Sequence, residues 1–258
     1  MGVLNVTPDS FSDGGRFLSP AAVVAQGRRM ADEGADLLDV GGESTRPGSR
    51  GVRVGEEIRR VLPVIERLAA AVRIPISIDT SKAEMARLSI GAGACLINDV
   101  TALRGDPAMA EVAARSRAAV ILMHMRGAPR TMQRAPRYGD VVTEVGEFLR
   151  SAAARAEEAG IERRRILVDP GLGFGKTVRH NLQLMQGLGR LAALGYPVVL
   201  GPSRKSFIGV TLDAPIEDRL AGTLACVAQA SRVGVQVVRV HDVKPAVQLL
   251  RMLEAIYR

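Results

Sequence analysis

Tryptophan is absent from this 258-residue chain, and tyrosine and phenylalanine number only three and five. Single-stranded nucleic acid is gripped largely by stacking bases on aromatic rings, so a chain this poor in rings has little to offer it. A formal net charge of +8 does not reverse that reading, because the basic residues are spread along amphipathic stretches and form no run. No nucleic-acid partner is expected. No apolar stretch approaches the ~20 residues of a membrane helix, and no basic flank precedes the first apolar segment. Neither a membrane span nor a leader is expected, which reads as a cytoplasmic protein. The only two cysteines, Cys95 and Cys226, show no metal spacing and are expected as buried free thiols. With three histidines, no HExxH and no matching Ser or Cys signature, a zinc hydrolase or a nucleophilic triad has no support. Lysine is scarce as well. Lys82, Lys176, Lys205 and Lys244 stand against thirty-one arginines, which makes each lysine worth inspecting.

What is present is a regular alternation. Eight short apolar runs occur at 2–6, 36–40, 74–79, 95–99, 119–123, 165–169, 196–201 and 235–240. Amphipathic segments lie between them, such as 21–34 and 56–72, the latter with apolar residues at 58, 61, 62, 65, 68 and 69. No linker or low-complexity segment divides the chain. Strand then helix, eight times in one domain over 1–258, predicts a (β/α)8 TIM barrel of parallel strands with outer helices. A doubly wound open sheet is the rival.

In a barrel, the C-terminal strand ends and the loops after them form the functional mouth, so polar residues that end apolar strands are the ones to collect. They are Asn5, Asp79, Asn98, Asp169, and Arg239 followed by His241, while GPSRKS presents Ser203, Arg204, Lys205 and Ser206. Arg239 and His241, two apart, share a face if the strand persists, and Asp242 could cap the next helix, whose N-terminus favours an anion. A phosphate or pyrophosphate site is the expectation; the alternative is that His241 is a structural histidine and Arg239 a surface cation. Asp79 and Asp169 suit recognition of a guanidine-like heterocycle edge, with Asn98 able to donate and accept beside them; the alternative is that both cap following helices. Glycine-rich segments at 41–51, 171–177 and 201–206 deliver Arg46, Phe174 and Lys205. Asp39 and Glu43 are expected mainly to support loops by hydrogen bonds.

These stretches resemble the dihydropteroate synthase family of the pterin-binding TIM-barrel superfamily, from end to end. The matching segments are LNVTPDSFSDGG, DVGGESTRPG, IDTSK, INDV, HMRGAPRTMQ, DPGLGFGK, SRKS and RVHDV. The resemblance implies a transferase joining 6-hydroxymethyl-7,8-dihydropterin pyrophosphate to para-aminobenzoate, with pyrophosphate released and 7,8-dihydropteroate formed for folate synthesis. It implies that Asp79, Asn98, Val100, Met123, Asp169, Gly201 and Lys205 bind the pterin. It puts the pyrophosphate on Asn5, Arg239 and His241, with Mg²⁺ near Asn5. Para-aminobenzoate would meet Thr45, Arg46, Pro47, Phe174 and Ser206, and the catalytic set would be Asp79, Lys205, Arg239 and His241. A homodimer is implied too. TPDSF would begin a lid that closes with the STRPG loop.

The chain departs from the family's usual pattern at Arg126, Ala128 and Leu172, where Gln, Thr and Phe are usual. These sit beside the expected pocket and bear on loop packing. A pterin-binding methyltransferase of the same superfamily would share the Asp and Asn contacts but would not use the TPDSF lid, the STRPG loop or the SRKS lysine. A silent pterin or phosphate sensor and a sugar-phosphate barrel enzyme are the other readings.

Overall fold

A computed structural model describes residues 1–6, 19–44, 48–49 and 51–257. The eight strands are β1 (Gly2–Asn5), β2 (Leu38–Gly41), β3 (Ile76–Asp79), β4 (Leu96–Asp99), β5 (Ala119–Met123), β6 (Ile166–Asp169), β7 (Val199–Leu200) and β8 (Val237–Val238). Among the described residues ten α-helices are interleaved: α1 (Pro20–Asp32), α2 (Val54–Ala71), α3 (Ala83–Gly91), α4 (Met109–Ser116), α5 (Val141–Glu158), α6 (Val178–Gln186), α7 (Leu188–Ala192), α8 (Ser206–Leu212), α9 (Leu220–Arg232) and α10 (Val243–Tyr257).

The strands pair in parallel and in chain order from β1 to β6, with β7 and β8 forming a second pair. Single parallel bridges close the ring, Val168 with Val198 and Gly2 with Val240, backed by Val168 N–H to Pro197 O (2.9 Å) and Val3 N–H to Val240 O (3.0 Å). This is the expected (β/α)8 barrel. Sequential order excludes the doubly wound sheet, whose order must reverse at a switch point. The last two strands are much shorter than the apolar runs at 196–201 and 235–240. Pro197 lacks an N–H to extend the ladder, and Arg239 turns inward to a charge cluster.

Period-two alternation divides each strand between two cores. Leu4, Leu38, Val40, Ile78, Ile97, Val120, Leu122 and Val168 face the helices in the larger core. Met1, Leu96, Ile121 and Val199, with Leu37, Ala119, Leu167 and Val237 against them, fill the barrel interior. Local chemistry starts the helices. Ser19 accepts from Ala22 N ahead of Pro20, Asp140 from the N–H groups of Val142 (2.9 Å) and Thr143 (3.2 Å), and Thr177 forms a capping box with His180. Both cysteines are free thiols, but Cys95 is exposed and Cys226 half-buried, against the expectation of burial. Cys95 lies before β4 begins, at the barrel's outer edge. Among the described residues no helix is long and apolar enough to cross a membrane.

Candidate active site

The inward positions nearest the C-terminal strand ends are polar, and they sit directly above the apolar interior. Asp79 and Asn98 are register partners across β3 and β4, and Met123 and Asp169 across β5 and β6. Arg239 enters this layer from β8. Its Nε donates to Asp39 Oδ2 (2.6 Å) and its Nη2 to Asp79 Oδ2 (2.9 Å). Asn98 Nδ2 donates to the same Asp39 oxygen at 3.1 Å. A carboxylate only accepts, so this contact fixes the Asn98 amide and leaves its Oδ1 for other donors. Asp39 is fully buried and is the hub of the network, not the loop support expected from its place in β2. The sequence signal for that role was a carboxylate inside the apolar run 36–40, and the structure sets it in register between Val3 and Ser77.

Burial pushes the Asp79 carboxyl up to about 7; Arg239 opposes the rise and Asp39 adds to it. Asp169 is raised for the same first cause, with the Lys205 charge opposing. Its Oδ1 also accepts from Gly171 N at 2.7 Å, so one oxygen holds the turn; the cap of α6 is Thr177, not the Asp169 of the capping alternative. Asp79 departs from that alternative too, since it accepts from Arg239 and α3 has no side-chain cap. Burial lowers the Lys205 ammonium to about 8, with Asp169 drawing it back up. Lys205 donates to Leu172 O and lies 4.8 Å above the Phe174 ring. Gly201 lies between Lys205 and Arg239: a Cβ there would stand 3.8 Å from both Lys205 Nζ and Arg239 Cβ. Val100, Met123, Met125 and Met132 form a small apolar cluster, and Phe174 packs against it.

β8 ends at Val238, yet the extended pairing continues through Arg239 N–H to Leu200 O (2.8 Å) and Val240 N–H to Met1 O (2.9 Å). His241 N–H donates to Ser203 Oγ at 3.1 Å, and its Nδ1 meets the same hydroxyl at 2.9 Å. Arg204 does not present itself to the mouth. It grips Asp242 with two bonds of 2.8 and 2.9 Å, latching the loop after β7 to the start of α10, so the Asp242 carboxylate serves this ion pair and not the expected cap role alone. Asn5 is half-buried at the end of β1, paired with Gly41, and Gly41 abuts Asp79. Ser206 is exposed in the first turn of α8. Thr45, Arg46 and Pro47 lie outside the described residues, as do residues 7–11, where the lid was expected. Glu43 does support its loop, pairing with Lys82, which also donates to buried Glu57 at 2.6 Å.

Two residues escaped sequence reasoning. Lys176 is 3% exposed and His124 6% exposed, and they meet at 2.9 Å through His124 Nδ1. Burial, then the Lys176 charge, lowers His124 to about 3, so the imidazole is neutral and accepts at Nδ1. The scarcity of lysine was the signal. Among the described residues, no group of three or more His, Cys, Asp or Glu is placed to hold a metal.

Residues 1–241 match the family of pterin binding enzymes. A dihydropteroate synthase of Escherichia coli (strain K12) is 47% identical over 255 residues, covering 99% of this chain and 90% of that protein. A solved Xanthomonas albilineans dihydropteroate synthase with 4-aminobenzoic acid is 50% identical with a TM-score of 0.93, over 99% of this chain and 92% of that one. The same organism's enzyme in complex with 7,8-dihydropteroate is 47% identical with a TM-score of 0.89, at the same two coverages.

Proposed function

The chain belongs to the family of pterin binding enzymes, and from that premise we propose how its barrel mouth works. The reaction is that of a dihydropteroate synthase: 6-hydroxymethyl-7,8-dihydropterin pyrophosphate and para-aminobenzoate give 7,8-dihydropteroate and pyrophosphate. The single observation that carries the assignment of roles is the ion cluster in which Arg239 bridges Asp39 and Asp79, beside the Lys205 and Asp169 charges. It offers carboxylates for a guanidine-like edge and cations for an anion side by side at the strand ends.

Asp169 and the free Oδ1 of Asn98 accept the pterin N–H groups, and Lys205 donates to the ring from the opposite edge. Val100, Met123 and Gly201 line the flat faces. At the exocyclic methylene the bond to the pyrophosphate oxygen breaks, and its electron pair leaves with pyrophosphate. Ionised Asp79 then stabilises the positive charge delocalised over the ring. Arg239 and His241 hold the departing anion. The neutral aniline nitrogen of para-aminobenzoate attacks the methylene and loses a proton to water, so no protein base is required. Phe174, Ser206 and the Thr45–Arg46–Pro47 stretch form the side from which that amine comes.

Mg²⁺ keeps several waters and takes phosphate oxygens, so it needs only one or two oxygens from the protein. The Asn5 carboxamide fits that demand, and Asn5 would hold the ion against the pyrophosphate. When bound, Mg²⁺ withdraws charge from the leaving group. The proposal extends to one domain over 1–258, a cytoplasmic location and a homodimer. Exposed Val210 and Leu212 on α8, with Ile216 just beyond it, are the apolar surface that supports the dimer.

The test is pyrophosphate release from the pterin substrate with Mg²⁺, with and without para-aminobenzoate, alongside Lys205→Ala. Release that depends on para-aminobenzoate, is lost in EDTA and falls at least about a hundredfold in the variant is expected. Turnover of methyltetrahydrofolate, or of sugar phosphates with indifference to pterins, refutes the assignment.

A further inference from the structure

We propose that Lys176 is a positioning residue for the second substrate: its buried ammonium splints the Gly171–Gly175 loop, which presents Phe174 and a carbonyl to Lys205. This rests on the reaction assigned above and extends it to a residue that touches neither substrate.

Lys176 Nζ donates to Gly171 O (2.9 Å) and Phe174 O (3.0 Å), meets His124 Nδ1 at 2.9 Å, and has a longer bond to His124 O (3.4 Å). No carboxylate lies within ion-pair distance of it among the described residues; Asp169 acts on it only through space. Burial holds Lys176 well below the usual lysine pKa, with Asp169 drawing it back up, and an apolar side chain would fill the same volume without that cost. What Nζ gains is four acceptors gathered at one point. Neutral His124 supplies two of them, its Nδ1 and, at the longest distance, its carbonyl oxygen.

The loop it serves is held at every carbonyl. Gly171 O and Phe174 O take Lys176, Leu172 O takes Lys205, Gly173 O takes Gln133 Nε2 at 2.5 Å, and Gly175 O takes Tyr138 OH at 2.9 Å. Five consecutive carbonyls are thus fixed by side chains from the loop's own end, the loop after β5 and the loop after β7. The backbone is preset as well, since Gly171, Gly173 and Gly175 all have positive φ, at 66°, 83° and 65°. The loop is therefore a rigid platform, and what stands on it is the Phe174 ring against the Lys205 ammonium. Loss of Lys176 takes the side-chain clamp from two of the five carbonyls: Gly171 O keeps only the Phe174 N–H, and the carbonyl of Phe174 itself loses its clamp. The Phe174 side of the site loosens, while Asp79 and Asn98, on other strands, stay in place.

The experiment compares Lys176→Met and Gln133→Ala with the intact wild-type chain. KM is measured for each substrate, Kd for the pterin pyrophosphate is measured alone by calorimetry, and the melting temperature is recorded. Gln133 is exposed, so its variant keeps the fold and removes one clamp only. Lys176→Met is expected to raise KM for para-aminobenzoate about tenfold with pterin Kd within about twofold, and Gln133→Ala to give about a threefold rise at the wild-type melting temperature. Equal weakening of both substrates in folded Lys176→Met, or no change in either variant, overturns the proposal. If Lys176→Met does not fold, Gln133→Ala decides by the same criterion. A wild-type chain without turnover refutes the reaction assignment and this inference with it; turnover with unshifted variants overturns this inference alone.

Discussion

Arg239 reaches inward from β8 and is held by two carboxylates from different strands, Asp39 and Asp79, before any substrate arrives. The three groups are one electrostatic unit. Asp39 is fully buried, and its Oδ2 serves Arg239 and Asn98 together, tying the end of β8 to β4. Asp79 carries the consequence for pH. Its carboxyl sits near 7, raised chiefly by burial, and the charges facing it are Arg239, Asp39, Glu57 and Asp99. Stabilising a positive ring requires the ionised form, so kcat/KM is expected to fall about tenfold per pH unit below 7. In Asp79→Asn that acid limb is expected to vanish, with kcat lower by about two to three orders of magnitude at pH 8. A pH-rate profile of both proteins checks this.

Among the elements, the loop after β6 has the least freedom. Gly171 has φ of +66°, and a Cβ there would stand 2.0 Å from the His124 carbonyl oxygen. Only glycine combines that backbone with so close an approach to the neighbouring loop. Gly171→Ala is expected to destabilise the fold by more than about 2 kcal/mol, read from urea unfolding, and to weaken para-aminobenzoate binding in whatever fraction folds. The loop after β7 is held differently. Arg204 takes φ of +54°, donates its backbone N–H to Thr223 Oγ1 at 2.9 Å and locks Asp242, so Ser203 and His241 meet at a fixed place.

For the whole molecule, stability and binding order both follow from what the barrel buries. His124 is depressed to about 3 against an ordinary 6.5, so the unfolded chain binds a proton there that the folded chain does not. Stability from this residue is full above 6.5 and is lost as pH falls toward 3. Between pH 7.5 and pH 5 the wild type is expected to lose up to about 2 kcal/mol more than His124→Gln, which removes the titrating ring. Urea melts of both proteins at the two pH values measure the difference. The proposed assignment also gives a binding order: the residues proposed for the pterin lie at the strand ends, and Phe174, proposed for para-aminobenzoate, lies on the loop after β6. Calorimetry is expected to find tighter para-aminobenzoate binding with pyrophosphate present, and equal affinity in both conditions would refute the order.

The amino-acid sequence by itself determined the barrel. Eight apolar runs with helical patterns between them carry a period of 2 and then of 3.6, which the backbone reads locally, and every observed strand overlaps one of those runs. It also determined which residues end the strands, so Asp79, Asn98, Asp169 and Arg239 were visible as a set. Only the tertiary structure decided how those residues are used. Asp39 and Arg239 are 200 positions apart, and closure of the ring makes them partners. Arg204 carries the same charge as Lys205 beside it, and it turns to Asp242 because its backbone adopts a left-handed conformation. Lys176 and His124 become neighbours only when the loops after β5 and β6 pack together. Strand and helix are written in near-neighbour periodicity, whereas a charge's partner depends on three-dimensional burial and register, which no local pattern encodes.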